Sequence, residues 1–100
     1  MIAWAAGLYE GEGTATRCNG RLRLSIKMTN EETVRRFAAV VTYGTVYGPY
    51  KPASRDGHLR KPVWVWLAEC EDAWEVADLL RPWLSTTRRK QLEEVFRAVA

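Results

Sequence analysis

Apolar and polar residues alternate most strictly over residues 21–28. One side of this segment is apolar and the other polar and basic: Leu22, Leu24, Ile26 and Met28 against Arg21, Arg23, Ser25 and Lys27. A period of two predicts a β-strand with one buried face. The Asn-Gly pair at 19–20 is preferred in two-residue type I′ turns, so residues 14–18 and 21–28 are predicted to form a hairpin. Its register places Thr14 and Thr16 on the basic face.

A helix is predicted to follow this hairpin, because apolar residues then recur at helical spacing. It is capped either by a Thr29–Glu32 capping box or by Asn30, and Gly44 ends it. Its apolar stripe is Val34, Phe37, Ala38 and Val41. Residues 45–50 are aromatic and β-branched and predict a third strand.

The second half of the chain repeats this order of strand and helix. A polar loop is predicted over residues 51–60, then a fourth strand over 62–68 whose Val63, Val65 and Leu67 face opposes its Trp64 and Trp66 face. A helix is predicted from Asp72 to about Leu80, before Pro82. Ser85 is placed to cap the last helix. The two apolar stripes are Ala73, Val76, Ala77 and Leu80, and Leu92, Val95, Phe96 and Val99.

The first predicted helix, residues 2–12, has a different pattern from the others. Ala3, Gly7 and Gly11 recur every four residues, which places them on one face. Glycine inside a helix costs about 1 kcal/mol relative to alanine, so two glycines indicate a face where another helix approaches closely. The helix ends at Glu12, which puts an acid at the end of that face. The predicted order is α-β-β-α-β-β-α-α, an α+β fold in one domain spanning residues 1–100.

Charge is unevenly distributed along the chain. The net charge is only +3, but residues 13–65 hold ten Lys or Arg and three Asp or Glu. A basic middle indicates a surface for a polyanion. No apolar run approaches the roughly 20 residues of a membrane span, and no signal peptide is evident. Cys18, Cys70 and one histidine do not make a zinc site, so we expect an intracellular protein with reduced cysteines, in a bacterial, phage or organellar setting.

The segment Ala5-Ala6-Gly7-Leu8-Tyr9-Glu10-Gly11-Glu12-Gly13 resembles the LAGLIDADG motif of homing endonucleases. The order of elements is also similar to that of single-motif members, and the resemblance extends over essentially the whole chain. It implies a fold in which an antiparallel sheet carries its helices on one face. It further implies a homodimer whose motif helices pack at the two-fold axis, through Ala3, Gly7, Leu8 and Gly11, while the two sheets lie over double-stranded DNA.

The resemblance also implies the chemistry of intron or intein mobility: Mg²⁺-dependent cleavage of a near-palindromic DNA site. Glu12 occupies the last acidic position of the motif and is implied as the ligand of Mg²⁺ or another divalent cation, with the Gly11 carbonyl as an extra ligand. One carboxylate per chain makes a poor site, which a two-fold axis completes. Asn30 is implied to orient water, and Lys27, Lys61 or another base is a candidate for the basic catalytic role. Glu10 is expected to support the helix end or pair across the dimer.

Candidate DNA contacts come from the basic face and from two further segments. Arginine suits guanine edges in the major groove, and Arg or Lys at the margins neutralise phosphates. The candidates are Arg17, Arg21, Arg23, Ser25, Lys27, Arg55, His58, Arg60, Lys61, Arg88 and Arg89. Tyr47, Trp64 and Trp66 would join them if their strand faces prove to be the DNA face.

One departure from the family pattern leaves the function open. Members commonly have a lysine just after the fourth strand, whereas this chain has Glu69-Cys70-Glu71-Asp72. An alternative is therefore a LAGLIDADG-like module with weak or no catalysis, which binds DNA as a regulator or RNA as a splicing helper. A third hypothesis is an interaction domain without nucleic acid.

Overall fold

A four-stranded antiparallel sheet in the order β1-β2-β4-β3 organises the molecule. The computed structural model describes residues 1–51 and 61–99, with only the backbone of Val99. The elements are α1 (Ile2–Glu12), β1 (Gly13–Cys18), β2 (Arg21–Met28), α2 (Glu31–Val41), β3 (Thr45–Tyr50), β4 (Val63–Glu69), α3 (Glu71–Leu80) and α4 (Thr86–Val99), with a 3-10 turn at Arg81–Trp83. The predicted α+β order is confirmed.

The hairpin forms as its turn sequence predicts. Asn19 and Gly20 both have positive φ, 54° and 77°, as a type I′ turn requires. Cys18 pairs with Arg21, and Thr14 and Thr16 lie opposite Ser25 and Arg23.

Helix boundaries follow local hydrogen bonding. Asn30 rather than Thr29 caps α2, since its Oδ1 accepts from the Thr33 N–H at 3.0 Å. Ser85 caps α4, where its Oγ accepts from the Arg88 N–H at 3.2 Å. Both caps satisfy amides that lack a partner within the helix.

The core fills the space between the sheet and the helices on its one covered face. Trp66 is fully buried, packs edge-on against Phe37 with ring centroids 4.8 Å apart, and donates from Nε1 to the Tyr43 carbonyl at 2.9 Å. Gly44 has φ of +86°, and a Cβ there would lie 2.6 Å from Trp66 Nε1. Glycine at 44 is thus required both by backbone conformation and by the close approach of the indole.

β3 contains a proline and a register irregularity. Pro49 lies in β3, an edge strand, where the pairing with β4 shifts register between Tyr47 and Tyr50; an edge position tolerates the missing proline N–H. No helix in the described ranges 1–51 and 61–99 is long and apolar enough to cross a membrane.

Candidate nucleic-acid interface and acidic helix end

One face of α1, made of small residues, faces away from the rest of the protomer. Ala5, Ala6 and Tyr9 are buried against the core, whereas Ala3, Gly7 and Gly11 are exposed. A Cβ built on Gly7 or Gly11 meets no heavy atom of the described residues within 4 Å. Leu8 is half-buried at the margin of this face. We call Ala3, Gly7 and Gly11 the small-residue face; its glycines satisfy no packing demand within the protomer.

Glu12 is the last residue of α1, and its side chain is exposed. The chain passes directly into β1 at Gly13, which is buried over the Tyr9 ring so closely that a Cβ at 13 would collide with it. Burial raises the pKa of Tyr9 to about 12, partly opposed by the charge of Arg88. The abrupt change from helix to strand therefore presents Glu12 at the junction of the helix and the sheet.

Glu10, the other acid of the motif, is engaged inside the protomer. Its Oε1 accepts from the Ser85 backbone N–H at 2.7 Å, and its Oε2 from the Ser85 hydroxyl at 2.9 Å. Arg88 Nε lies 3.8 Å from the same carboxylate. The Ser85 backbone N–H, with smaller contributions from the Ser85 hydroxyl and Arg88, holds the pKa of Glu10 below its ordinary value against the effect of desolvation. Glu10 thus ties the end of α1 to the start of α4.

The sheet face without helices, which we call the open face, is built from alternate residues of all four strands. Its polar part comes from β1 and β2, with Arg21, Ser25 and Lys27 flanked by Thr14 and Thr16. Strands β4 and β3 continue it with half-buried and exposed residues: Val65, Leu67, Glu69, Thr45 and Tyr47. The face is therefore cationic on one side and apolar with an aromatic edge on the other.

The tryptophans of β4 do not belong to the open face. Trp66 is buried beneath the helices, and Trp64 is half-buried under the Arg35 guanidinium, whose carbon lies 5.3 Å from the ring centroid. Tyr47 is on the open face and is 44% exposed. Of the three aromatic candidates, only Tyr47 is positioned to touch a ligand there.

Arg23 and Glu69 form an ion pair across the centre of the open face. Arg23 Nη2 lies 3.2 Å from Glu69 Oε1, and the two residues are direct partners in the β2–β4 register. Arg23 Nε is buried and has no hydrogen-bond partner within the part of the chain that the structure describes. In the sequence, Glu69 stands out only as part of an acidic segment. The alternation of β4 could have placed it, since it is in phase with Val65 and Leu67.

Three basic candidates are placed away from the open face. Arg17 is opposite Leu22 on the covered side and donates from Nη1 to the Ala98 carbonyl of α4 at 3.0 Å. Arg88 donates to the Glu10 and Gly13 carbonyls, both at 3.0 Å. Arg89 Nε donates to the Leu84 carbonyl at 3.1 Å. These three side chains thus hydrogen-bond to backbone carbonyls of the same protomer and do not join Arg21 and Lys27 on the open face. Their contacts with DNA stay predictions.

The remaining candidates divide into two groups. Lys27 is exposed on the open face, and its neighbour Ile26 pairs with Gly13, so Lys27 and Glu12 lie at the same end of the hairpin. Asn30 follows β2 at that end and caps α2. Lys61 is exposed just before β4. Arg55, His58 and Arg60 lie outside the described residues.

The acids that follow β4 lie at the start of α3. Glu71 and Asp72 lie in the first turn of α3, where negative charge is favourable to the helix dipole. Across the described residues 1–51 and 61–99, no three His, Cys, Asp or Glu side chains come together as a metal site. Within one protomer, Glu12 is thus separate from any larger acidic cluster of that part of the chain.

Solved structures with the same fold are homing endonucleases. The chain aligns with I-CvuI in complex with its DNA target in the presence of Ca, at a TM-score of 0.69 and 18% identity, over 98% of this chain and 64% of that one. It aligns with the archaeal intron-encoded homing endonuclease I-Vdi141I complexed with DNA at a TM-score of 0.70 and 14% identity, over 97% and 65%. A further I-CvuI complex, with Mg present, has uncleaved DNA.

These likenesses confirm the fold predicted from the motif and the order of elements, that of the LAGLIDADG homing endonucleases. The chain spans about two thirds of the length of the proteins it matches, 64–65%. No protein-family model and no curated protein sequence matches it.

Proposed function

We propose that this chain acts as a homodimeric, Mg²⁺-dependent endonuclease that cleaves a near-palindromic site in double-stranded DNA. The observation that carries the proposal is one local arrangement. The exposed small-residue face of α1 ends at Glu12, and the chain then passes without a loop into the open face. An association surface, an acid and a cationic sheet therefore meet at Gly13.

Duplex DNA is the ligand that the open face suits best. A two-stranded ribbon fits the major groove, where arginine pairs with guanine and apolar groups contact thymine methyls. Arg21, Lys27 and Ser25 provide donors along β2, and Tyr47 with Val65 adds apolar surface. The solved structures of the same fold are complexes with DNA, which supports this choice.

A second copy of the chain is the partner that the small-residue face suits best. Open space around Gly7 and Gly11 leaves room for a helix to approach backbone to backbone. A two-fold axis along this face brings together the two ends of α1. Two Glu12 carboxylates would then lie near the axis, which supplies the second acid that one protomer does not bring there.

The donor set at this helix end fits a magnesium ion. Mg²⁺ prefers oxygen ligands and commonly takes one or two carboxylates with water completing its shell. Glu12 offers an exposed carboxylate and Gly11 a backbone carbonyl at the end of the helix. When bound, the ion would neutralise phosphate charge and favour formation of the attacking hydroxide. Glu12 would hold and orient it, Lys27 would add positive charge to the scissile phosphate, and Asn30 would orient water through its amide NH₂, since its Oδ1 caps α2.

The acidic segment favours one alternative, a DNA-binding or RNA-splicing module with weak or no catalysis. Glu69 stands near where the resemblance implies a lysine, and it neutralises Arg23 on the open face. This reduces the positive charge available to phosphate and predicts slower cutting than in a protein with lysine there.

Glu12→Gln is the variant that tests the proposal, because it keeps the length and hydrogen-bonding capacity of the side chain and removes its charge. Cleavage of a randomised duplex library with Mg²⁺ should be lost, while duplex affinity measured in Ca²⁺ stays the same. Glu75→Gln, at an exposed position on α3, is the matched control and should cut normally. Undiminished cutting by Glu12→Gln refutes the nuclease assignment; tight binding without cutting by the wild type establishes the binding module instead.

A further inference from the structure

Arg88 hydrogen-bonds to the α1–β1 junction, residues 10–13, from the covered side of the sheet. Its Nε donates to the Glu10 carbonyl and its Nη1 to the Gly13 carbonyl, each at 3.0 Å. These two carbonyls bracket Gly11 and Glu12 in the chain. The Arg88 side chain is 24% exposed, so most of it is packed against the junction rather than presented to solvent.

The contact has a clear physical reason at the end of a helix. The last four carbonyls of a helix have no partner within it, and Glu10 lies in that final turn. A guanidinium offers several donors in a rigid planar fork, so one arginine can hold two carbonyls in a fixed relation. A lysine has a single nitrogen on a flexible stem and cannot reproduce that spacing.

The Glu10 side chain also connects the end of α1 to the start of α4. The Glu10 carboxylate accepts from the backbone N–H and hydroxyl of Ser85, which itself caps α4 and so sets the start of the helix that carries Arg88. The end of α1 positions α4, and α4 in turn fixes the end of α1. Only residues 11 and 12 lie in the chain between the two residues whose carbonyls Arg88 contacts.

We infer that Arg88 is a positioning residue for the nuclease centre: it fixes the direction in which the Glu12 carboxylate and the Gly11 carbonyl leave the end of α1. The inference rests on the proposed function, in which those two groups bind the metal. Removing a group that orients a metal ligand commonly lowers metal affinity or activity by about 10- to 100-fold. Arg88 should therefore control metal use without taking part in DNA affinity.

Two substitutions separate geometry from charge. Arg88→Lys keeps the charge and loses the fork, whereas Arg88→Gln keeps a donor and loses the charge. A positioning role through the fork impairs both variants, while a phosphate contact leaves the lysine variant close to wild type. Arg97→Lys, an exposed arginine on the same helix, is the matched control. Circular dichroism melting identifies a temperature at which all variants are folded.

The first measurement is amide hydrogen exchange of the metal-free protein. The Gly13 N–H bonds the Tyr9 carbonyl, so its exchange reports the order of the junction. Exchange at residues 11–13 should accelerate by about tenfold or more in both Arg88 variants, as expected when a charge-assisted hydrogen bond is lost. It should be unchanged in Arg97→Lys.

The second measurement compares DNA affinity in Ca²⁺ with the Mg²⁺ concentration that gives half-maximal cleavage. Both Arg88 variants should need about tenfold more Mg²⁺, with duplex affinity and its salt dependence unchanged. Wild-type exchange at residues 11–13 in both variants overturns this inference whatever the nuclease does. A lower salt slope in Arg88→Gln alone also overturns it, in favour of a phosphate contact. Cutting by Glu12→Gln overturns the proposed function instead.

Discussion

Replacing the glycines of α1 by alanine should have opposite effects on the protomer and on the dimer. In the protomer, a Cβ at Gly7 or Gly11 enters open space, with no heavy atom within 4 Å. Alanine is favoured over glycine inside a helix by about 1 kcal/mol. Each substitution should therefore raise the free energy of unfolding of the isolated protomer by up to about 1 kcal/mol.

In the proposed dimer, the same methyl group would enter the closest contact between the two α1 helices. Overpacking of a tight contact costs about 1–3 kcal/mol, and two-fold symmetry applies the cost twice. A single substitution thus weakens association by at least about 2 kcal/mol, which raises the dissociation constant about 30-fold. Cleavage should fall in parallel, because each copy contributes one Glu12.

Sedimentation velocity over a range of concentrations measures the association, and urea unfolding of the dilute protein measures the protomer. Ala39→Gly at an exposed position of α2 is the control; it should lower protomer stability by about 1 kcal/mol and leave association unchanged. Gly7→Ala or Gly11→Ala proteins that are more stable and yet associate like the wild type would refute the small-residue face as the dimer contact.

Three further predictions address the open face, the helix junction and the core. In fluorescence-anisotropy titrations with duplex DNA, Arg21→Gln should lower the slope of the log binding constant against log salt concentration by about 0.9. Arg17→Gln should leave that slope unchanged, because Arg17 binds a carbonyl of α4. The pKa of Glu10 is lowered in the folded state, so its contacts stabilise the protein fully above the ordinary pKa of 4.5 and are lost as pH falls through the lower folded-state pKa. The urea midpoints of wild type and Glu10→Gln should therefore converge below pH 4.5. A difference in midpoint that stays constant with pH would contradict this. Gly44→Ala should cost more stability than Gly20→Ala, because both have positive φ but only Gly44 lies against the Trp66 indole; equal urea midpoints would show that the contact relaxes freely.

Local patterns were enough to predict the helices and strands and their order, whereas the packing of the helices on one face of the sheet was implied by the family resemblance. Alternation in β2, the Asn-Gly turn and the helical stripes depend on near neighbours, so each could be read without knowing the rest of the chain. The same holds for Glu12, whose place at the end of α1 follows from the motif. The open face of β2 was predicted as a whole because strand parity assigns all of its residues together.

The roles of individual arginines could not be predicted in this way. Arg17 and Arg88 are brought to carbonyls 81 and 78 residues away in the chain, and no local pattern marks such partners. The covered face of a sheet is also read as apolar by default, although a long side chain at its margin can reach a helix end. A basic residue in a basic segment is therefore weak evidence for DNA contact until its register is known.

The acidic segment after β4 weighs less against catalysis than its composition indicates. Glu71 and Asp72 lie in the first turn of α3, where negative charge is favourable to the helix dipole, and Glu69 is paired with Arg23. Along β2, Glu69 lies opposite Arg23, whereas Gly13, next to Glu12, pairs with Ile26. The Arg23–Glu69 pair has its own consequence for DNA, because arginine matches guanine and a carboxylate accepts from the cytosine amino group. We expect the pair to favour a G·C pair in any DNA that the open face binds. We therefore expect the Arg23–Glu69 pair to bear on which sequence is bound, and the rate of the proposed cleavage to depend chiefly on Glu12, Lys27 and the junction that Arg88 contacts.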